Sequence, residues 1–166
     1  MRILGIDPGT ATTGYGVVED DQQGQLKLVA YGTIVTPPSM PPEQRLLKIY
    51  NELHEILLLH KPHETAVEKL FFYKNVTTAM AVGQARGVVV LTFAQKSLTI
   101  GEYTPLEVKQ AITGYGSADK RQIQEMVKIL LNLETIPKPD DAADALAVAI
   151  CHYNSSRYAR LENGTA

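Results

Sequence analysis

An apolar run, Ile3-Leu4-Gly5-Ile6, stops on Asp7-Pro8-Gly9 six residues into the chain. Its strand-forming residues are apolar on both alternating faces, the pattern of a strand covered from both sides, and Pro8 and Gly9 force an immediate turn. Asp7 therefore marks a strand end. Gly14-Tyr15-Gly16-Val17-Val18 reads as a second strand returning antiparallel, its glycines leaving room for close backbone or ligand approach near the acid. A plain Pro-Gly turn with Asp7 as its turn former accounts for these residues equally well.

With 166 residues, 45% of them hydrophobic, the chain can bury one full core, so a single domain over 1–155 with a polar tail over 156–166 is expected. The single cysteine, Cys151, excludes an internal disulfide framework, and the four histidines lack zinc-cage spacing with it. No apolar run reaches membrane-spanning length, and the first residues enter a strand directly, without a signal-peptide core. These features suit a cytoplasmic protein. The net charge of −2 argues against indiscriminate nucleic-acid binding, but the charge is unevenly spread. From Lys69 to Gln124 seven bases face three acids, a net of +4, and Lys69 to Lys96 contains no acid at all. That stretch suits phosphates, or is simply a solvated basic helix face.

A third strand is expected over Gln25–Thr36, ended by Pro37-Pro38, completing a meander of three. Next comes an amphipathic helix on Leu46, Tyr50, Leu53 and Leu57. Thr65-Ala66-Val67-Glu68 reads as a fourth, buried strand that again ends on a carboxylate. Reached across a helix, it should lie parallel to an earlier strand; beside the first, it would bring Glu68 next to Asp7. Phe71-Phe72-Tyr73 then stands between Lys69 and Lys74. Three consecutive aromatics cannot all face inward from a loop, so one is available to stack on bases, unless they pad the edge of the core. A long helix over Val76–Gln95 carries Gly83 and Gly87 one turn apart, a spacing that permits close approach of the sheet or of a partner subunit. A fifth strand over Leu98–Tyr103, a short helix through Lys109, and a flexible glycine connector follow. The connector leads through Lys120 and Arg121 into a helix on Ile123, Val127, Leu130 and Leu131. Lys120 and Arg121 suit a phosphate backbone or an ordinary solvated helix start.

The last helix opens with Asp140-Asp141 after Pro139, acids that a helix N-terminus accepts. From Ala142 to Cys151 nearly everything except Asp144 is small or apolar, so this helix must be buried. Capping accounts for Asp140 or Asp141; it does not account for Asp144, whose charge needs a cation. Two carboxylates at strand ends and two on a late helix, with no histidine or cysteine cluster, suit hard divalent ions: magnesium, with manganese an alternative. Two such ions can activate a water and stabilise the leaving oxygen of a phosphodiester, so hydrolysis of a nucleic-acid backbone is the chemistry inferred.

Taken together and in order, Gly5-Ile6-Asp7-Pro8-Gly9, Gly14-Tyr15-Gly16, Ala66-Val67-Glu68, Gly83-Gln84-Ala85-Arg86-Gly87, Val108-Lys109-Gln110, Gly116-Ser117-Ala118 and Asp141-Ala142-Ala143-Asp144-Ala145-Leu146-Ala147 resemble the RuvC family of Holliday-junction resolvases. The resemblance covers nearly the whole chain. It implies an α/β, RNase H-like fold: a mixed five-stranded sheet, with a three-strand antiparallel meander plus two parallel strands, flanked by helices. It implies that Asp7, Glu68, Asp141 and Asp144 are metal-binding catalytic carboxylates, with Mg2+ expected at two ions per subunit. Lys109 and Lys120 fall where the family has lysines near the scissile phosphate or the DNA backbone, and Phe71 where it has an aromatic that stacks on junction bases, with Phe72 and Tyr73 as neighbours. Lys74, Arg86 and Arg121 complete the expected DNA-contacting set. A homodimer that makes paired symmetric nicks in four-way junction DNA is implied, acting with a RuvA–RuvB branch-migration complex in recombination and repair. Two other readings stay open: an actin-like ATPase domain, which normally needs two such domains around its nucleotide, and a non-catalytic or RNA-processing relative of the same fold.

Overall fold

A computed structural model describes residues 1–21, 23–69 and 76–162 of the chain, with the side chains of 76, 77 and 160–162 set aside. Its elements run β1 (Arg2–Asp7), β2 (Thr12–Asp20), β3 (Leu26–Val35), α1 (Pro42–His60), β4 (Glu64–Glu68), α2 (Val76–Gln95), β5 (Thr99–Tyr103), α3 (Pro105–Thr113), α4 (Lys120–Leu130) and α5 (Asp140–Glu162). The strands form one sheet in the order β3-β2-β1-β4-β5. β1, β2 and β3 are an antiparallel meander, and β4 pairs parallel with β1 and β5 parallel with β4. This is the mixed sheet the resemblance implies.

Helices cover both faces, as the two-sided apolarity of β1 requires. On one face Leu4, Ile6, Val17 and Val67 pack with Ile49, Leu53 and Leu57 of α1 and with Ala85, Val89 and Phe93 of α2. The buried residue of the second α1 turn is Ile49, with Tyr50 beside it against His54. On the other face Ile3, Val18 and Ala66 meet α3, α4 and the alanine-rich α5. Because strand side chains alternate, Asp7 lies on the same face as Ile3 and Gly5, the face that α5 covers.

The glycines of β1 and β2 decide how closely α5 can approach. A Cβ on Gly5 would stand 2.3 Å from the Ala145 carbonyl oxygen, one on Gly14 1.9 Å from that of Asp141, and one on Gly16 2.7 Å from the Leu146 side chain. The room those glycines leave is filled by the helix backbone itself. α5 in turn presents Ala142, Ala143, Ala145 and Ala149, all buried. Small residues on both sides let the helix axis settle onto the strands and carry its first turn to the end of β1.

α5 continues to Glu162, through Asn154, Ser155 and Ser156, where a tail was expected to begin. Ser155 Oγ donates to Cys151 O (3.0 Å) and Ser156 Oγ to Tyr153 O (3.1 Å), so these polar residues satisfy themselves on the helix's own carbonyls. The connector between α3 and α4 is also better fixed than its glycines suggest. Gly114 caps α3 at φ 84°, and Gly116 sits where a Cβ would come within 2.3 Å of Leu106. No helix among the described residues is long and apolar enough to cross a membrane.

Candidate active site

β1 and β4 run parallel in a register that pairs Gly5 with Ala66 and Ile6 with Val67, which sets Asp7 and Glu68 at the same end of adjacent strands. α5 brings Asp141 and Asp144 to that point. The four acids come from three elements separated widely in sequence, and electrostatics shows how tightly they are gathered. Burial, followed by the charges of Glu68, Asp144 and Asp141, pushes the Asp7 carboxyl up to about 7 from its ordinary 3.8; Lys120 offsets this in part. Burial and then Asp144 push Glu68 up to about 7 as well. Asp144 is also raised, its burial outweighing the Lys120 ammonium that pulls the other way. A group of partly buried acids that resist ionisation together is what a polycation site looks like before charge compensation.

The cation that Asp144 needed is Lys120, the first residue of α4. Its Nζ lies 3.1 Å from Asp144 Oδ2 and 3.5 Å from Asp140 Oδ2. Asp119 and Gln122 form a capping box that fixes where α4 begins and hence where Lys120 stands. Burial disfavours the ammonium, yet Asp144 and Asp140 together hold its pKa above the ordinary value. Lys109 reaches the same place from α3: with Glu68, Lys120 and Asp144 it walls a cleft of about 190 Å³ that also touches Val108 and Ile123.

The other residues expected to touch DNA are placed differently. Arg121 faces away from the acids, lining a separate groove of about 430 Å³ with Tyr115, Gln122 and Met126. Arg86 is hydrogen-bonded and ion-paired to Glu102 of β5. Phe71, Phe72 and Lys74 lie outside the described residues. Asp140, for which capping accounts in the sequence, also meets two lysines: Oδ1 accepts from Lys138 Nζ at 2.8 Å while Oδ2 faces Lys120. Its signal in the sequence was faint, since the partner lysine lies twenty positions away and on another helix.

The donor set fits hard divalent ions, being all carboxylate oxygen. As the side chains stand, no three His, Cys, Asp or Glu residues among those described close on one point at ligating distance.

Residues 3–152 match the family model described as "Crossover junction endodeoxyribonuclease RuvC". The chain belongs to the RuvC family. Among its relatives, the enzyme of that name from Caldicellulosiruptor saccharolyticus is 58% identical over 156 residues, 94% of each chain. The one from Chloroflexus aggregans is 60% identical over 152 residues, 92% of each. The Thermus thermophilus RuvC solved in complex with a Holliday junction substrate superposes with a TM-score of 0.89 at 36% identity, covering 100% of this chain and 98% of that one. The yeast mitochondrial resolvase Ydc2, at 17% identity and a TM-score of 0.65, shares the fold. The RNase H-like architecture is thereby established, and the family's enzymes are metal-dependent nucleases.

Proposed function

We propose that this protein is a Holliday junction resolvase, a structure-specific endonuclease that makes paired symmetric nicks in four-way DNA junctions by phosphodiester hydrolysis. The observation that carries the active-site assignment is that parallel strand pairing sets Asp7 and Glu68 at one end of the sheet, where Glu68, Asp144, Lys109 and Lys120 wall a single cleft. Asp7, Glu68, Asp141 and Asp144 would together hold the divalent ions, Asp7 and Glu68 from the strand ends and Asp141 and Asp144 from the first turn of α5. Mg2+ at two ions per subunit is the natural occupant and Mn2+ an alternative. When bound, the ions supply activation of a water and neutralisation of charge at the scissile phosphate. The protein's own share is to hold the phosphate between Lys109 and Lys120 on the wall of the cleft, and to keep the acids rigid on two strand ends and one buried helix. One aromatic of Phe71, Phe72 and Tyr73 stacks on junction bases in this reading, Phe71 being the one at the family's position, and Lys74, Arg86 and Arg121 meet the backbone farther out.

Two nicks related by symmetry call for two copies of the site, hence a homodimer. Support comes from α2. Among the described residues, nothing beyond the helix's own neighbouring turns comes within 4 Å of a Cβ placed on Gly83 or Gly87, and Met80 and Leu91 on the same helix are 70% and 56% exposed. An apolar helix surface with small residues at its centre suits a second copy. The chain acts as a single nuclease domain, and the protein works in the cytoplasm beside a RuvA–RuvB branch-migration complex.

The direct test is a synthetic four-way junction incubated with the protein and Mg2+, resolved on a denaturing gel, with a matched linear duplex alongside. Symmetric nicks in the junction alone that vanish with chelator are expected. Asp7→Asn should bind the junction without cutting it. A junction bound but never nicked under any metal would refute the assignment and direct attention to structured RNA.

A further inference from the structure

Asp140 is not one of the four acids that converge, yet it is the best-connected carboxylate beside them. Each of its oxygens has its own lysine. Oδ1 accepts from Lys138 Nζ at 2.8 Å, and Oδ2 stands 3.5 Å from Lys120 Nζ. With Oδ1 on Lys138, it is the second oxygen that faces Lys120. Lys120 is in consequence divided between two carboxylates on α5, nearer to Asp144 at 3.1 Å.

This division matters because Asp144 has two uses for one side chain. Through Oδ2 it shares its charge with Lys120; as a metal ligand, it would give part of that charge to the ion as well. Lys120 stands about half exposed at the edge of the cleft, and an ammonium with a second carboxylate at hand is held there more firmly than one that shares its only partner with a metal ion. We infer that Asp140 is a positioning residue that retains Lys120 when Asp144 serves the metal, so that the lysine stays on the wall of the cleft facing the phosphate. Asp140 acts through Lys120 and touches neither metal nor substrate. The inference rests on the metal-site reading given above.

The test is a double-mutant cycle read as metal affinity, without DNA. Wild type, Asp140→Asn, Lys120→Met and the double variant, all full length, are titrated with Mg2+ at pH 7.5 and followed by melting temperature, each against its own chelator baseline. Asn keeps the size and helix-starting character of Asp140, and the chelator baseline reports any loss of fold. With Lys120 present, D140N is expected to weaken the apparent Mg2+ affinity by about 1.5- to 5-fold, the worth of one exposed ion pair. In the Lys120→Met background the same substitution is expected to change it by less than about 1.5-fold. Equal weakening in both backgrounds would overturn the proposal, since Asp140 would then act only as one more negative charge. A wild type whose melting temperature ignores Mg2+ would refute the metal-site reading and this inference with it. In single-turnover cutting D140N should slow the nick with junction affinity unchanged, and Asp140→Glu should restore it; a normal rate in D140N would also count against the role.

Discussion

Asp7 is more useful to the reaction than to the fold, and its replacement by Asn should reveal the difference. Its carboxyl is raised from the ordinary 3.8 to about 7 by burial and by three neighbouring acids. A proton is therefore bound more tightly in the native state than in the unfolded chain. The stability this contributes is complete below about pH 4, declines as the pH rises toward 7, and is gone above it. The interval from 3.8 to about 7, at about 1.36 kcal/mol per pH unit, sets a ceiling of about 4 kcal/mol on the penalty of ionising this side chain in the folded protein. Asn removes the charge but buries an amide with incomplete hydrogen bonding, which costs about 1–3 kcal/mol. The net gain at pH 8 in chelator is about 2 kcal/mol, or about 4–8 °C in melting temperature for a domain of this size. At pH 4.5, where Asp7 is protonated, the advantage should disappear. Saturating Mg2+ should reverse the order, because wild type gains about 2.7 kcal/mol at a hundredfold excess over its dissociation constant while D7N gains little. Scanning calorimetry at both pH values, with chelator and with Mg2+, decides the matter. A melting difference that is the same at pH 4.5 and pH 8, or a D7N protein less stable than wild type at pH 8 in chelator, would refute the argument.

Three further substitutions probe the framework around that acid. Gly14→Ala places a Cβ 1.9 Å from the Asp141 carbonyl oxygen, so α5 must move; a loss of about 3 kcal/mol or more and of nicking is expected, and a urea midpoint near wild type would contradict it. Tyr103→Phe removes the hydroxyl that lies 2.8 Å from Nδ1 of buried His152, whose other nitrogen meets Glu64 at 2.8 Å. A loss of about 1 kcal/mol with junction cutting retained is expected by chemical denaturation. Leu91→Glu puts a charge on the exposed face of α2 and should convert a dimer into monomers by sedimentation; an unchanged oligomer would place the interface elsewhere.

Much of this was legible in the sequence because the signals were local. A two-sided apolar strand ending on Asp7, a second ending on Glu68 and a helix carrying Asp141 and Asp144 each announce themselves in a few residues. The crossing helix between the first two dictates a parallel pairing. What could not be read is the pairing of partners on different elements. The cation for Asp144 was required by its burial, but its identity as Lys120 depends on the angle between α4 and α5. The space beside Gly14 and Gly16 suited either a ligand or a backbone, and only the packed structure shows that α5 fills it. Likewise the ring of His152 occupies the gap left by Gly101, where a Cβ would lie 2.3 Å from Nδ1, a fit invisible in either residue alone.

The same contacts explain why the acids can be tolerated at all. Four carboxylates around one point repel, and a site assembled on loops could relieve that repulsion by opening. Here Asp7 and Glu68 are held by strand pairing, and Asp141 and Asp144 by a helix whose backbone rests directly on Gly5, Gly14 and Gly16. Spreading the acids would mean lifting α5 from the sheet and exposing the buried alanines and Leu146 beneath it. Hydrophobic burial from Ala142 to Tyr153 thus opposes electrostatic repulsion confined to the first turn, and that repulsion remains available to be relieved by cations. Lys120 and Asp140 belong to this balance: one positive charge lessens the repulsion without neutralising the site, and a second carboxylate keeps that charge from being lost when its first partner is needed.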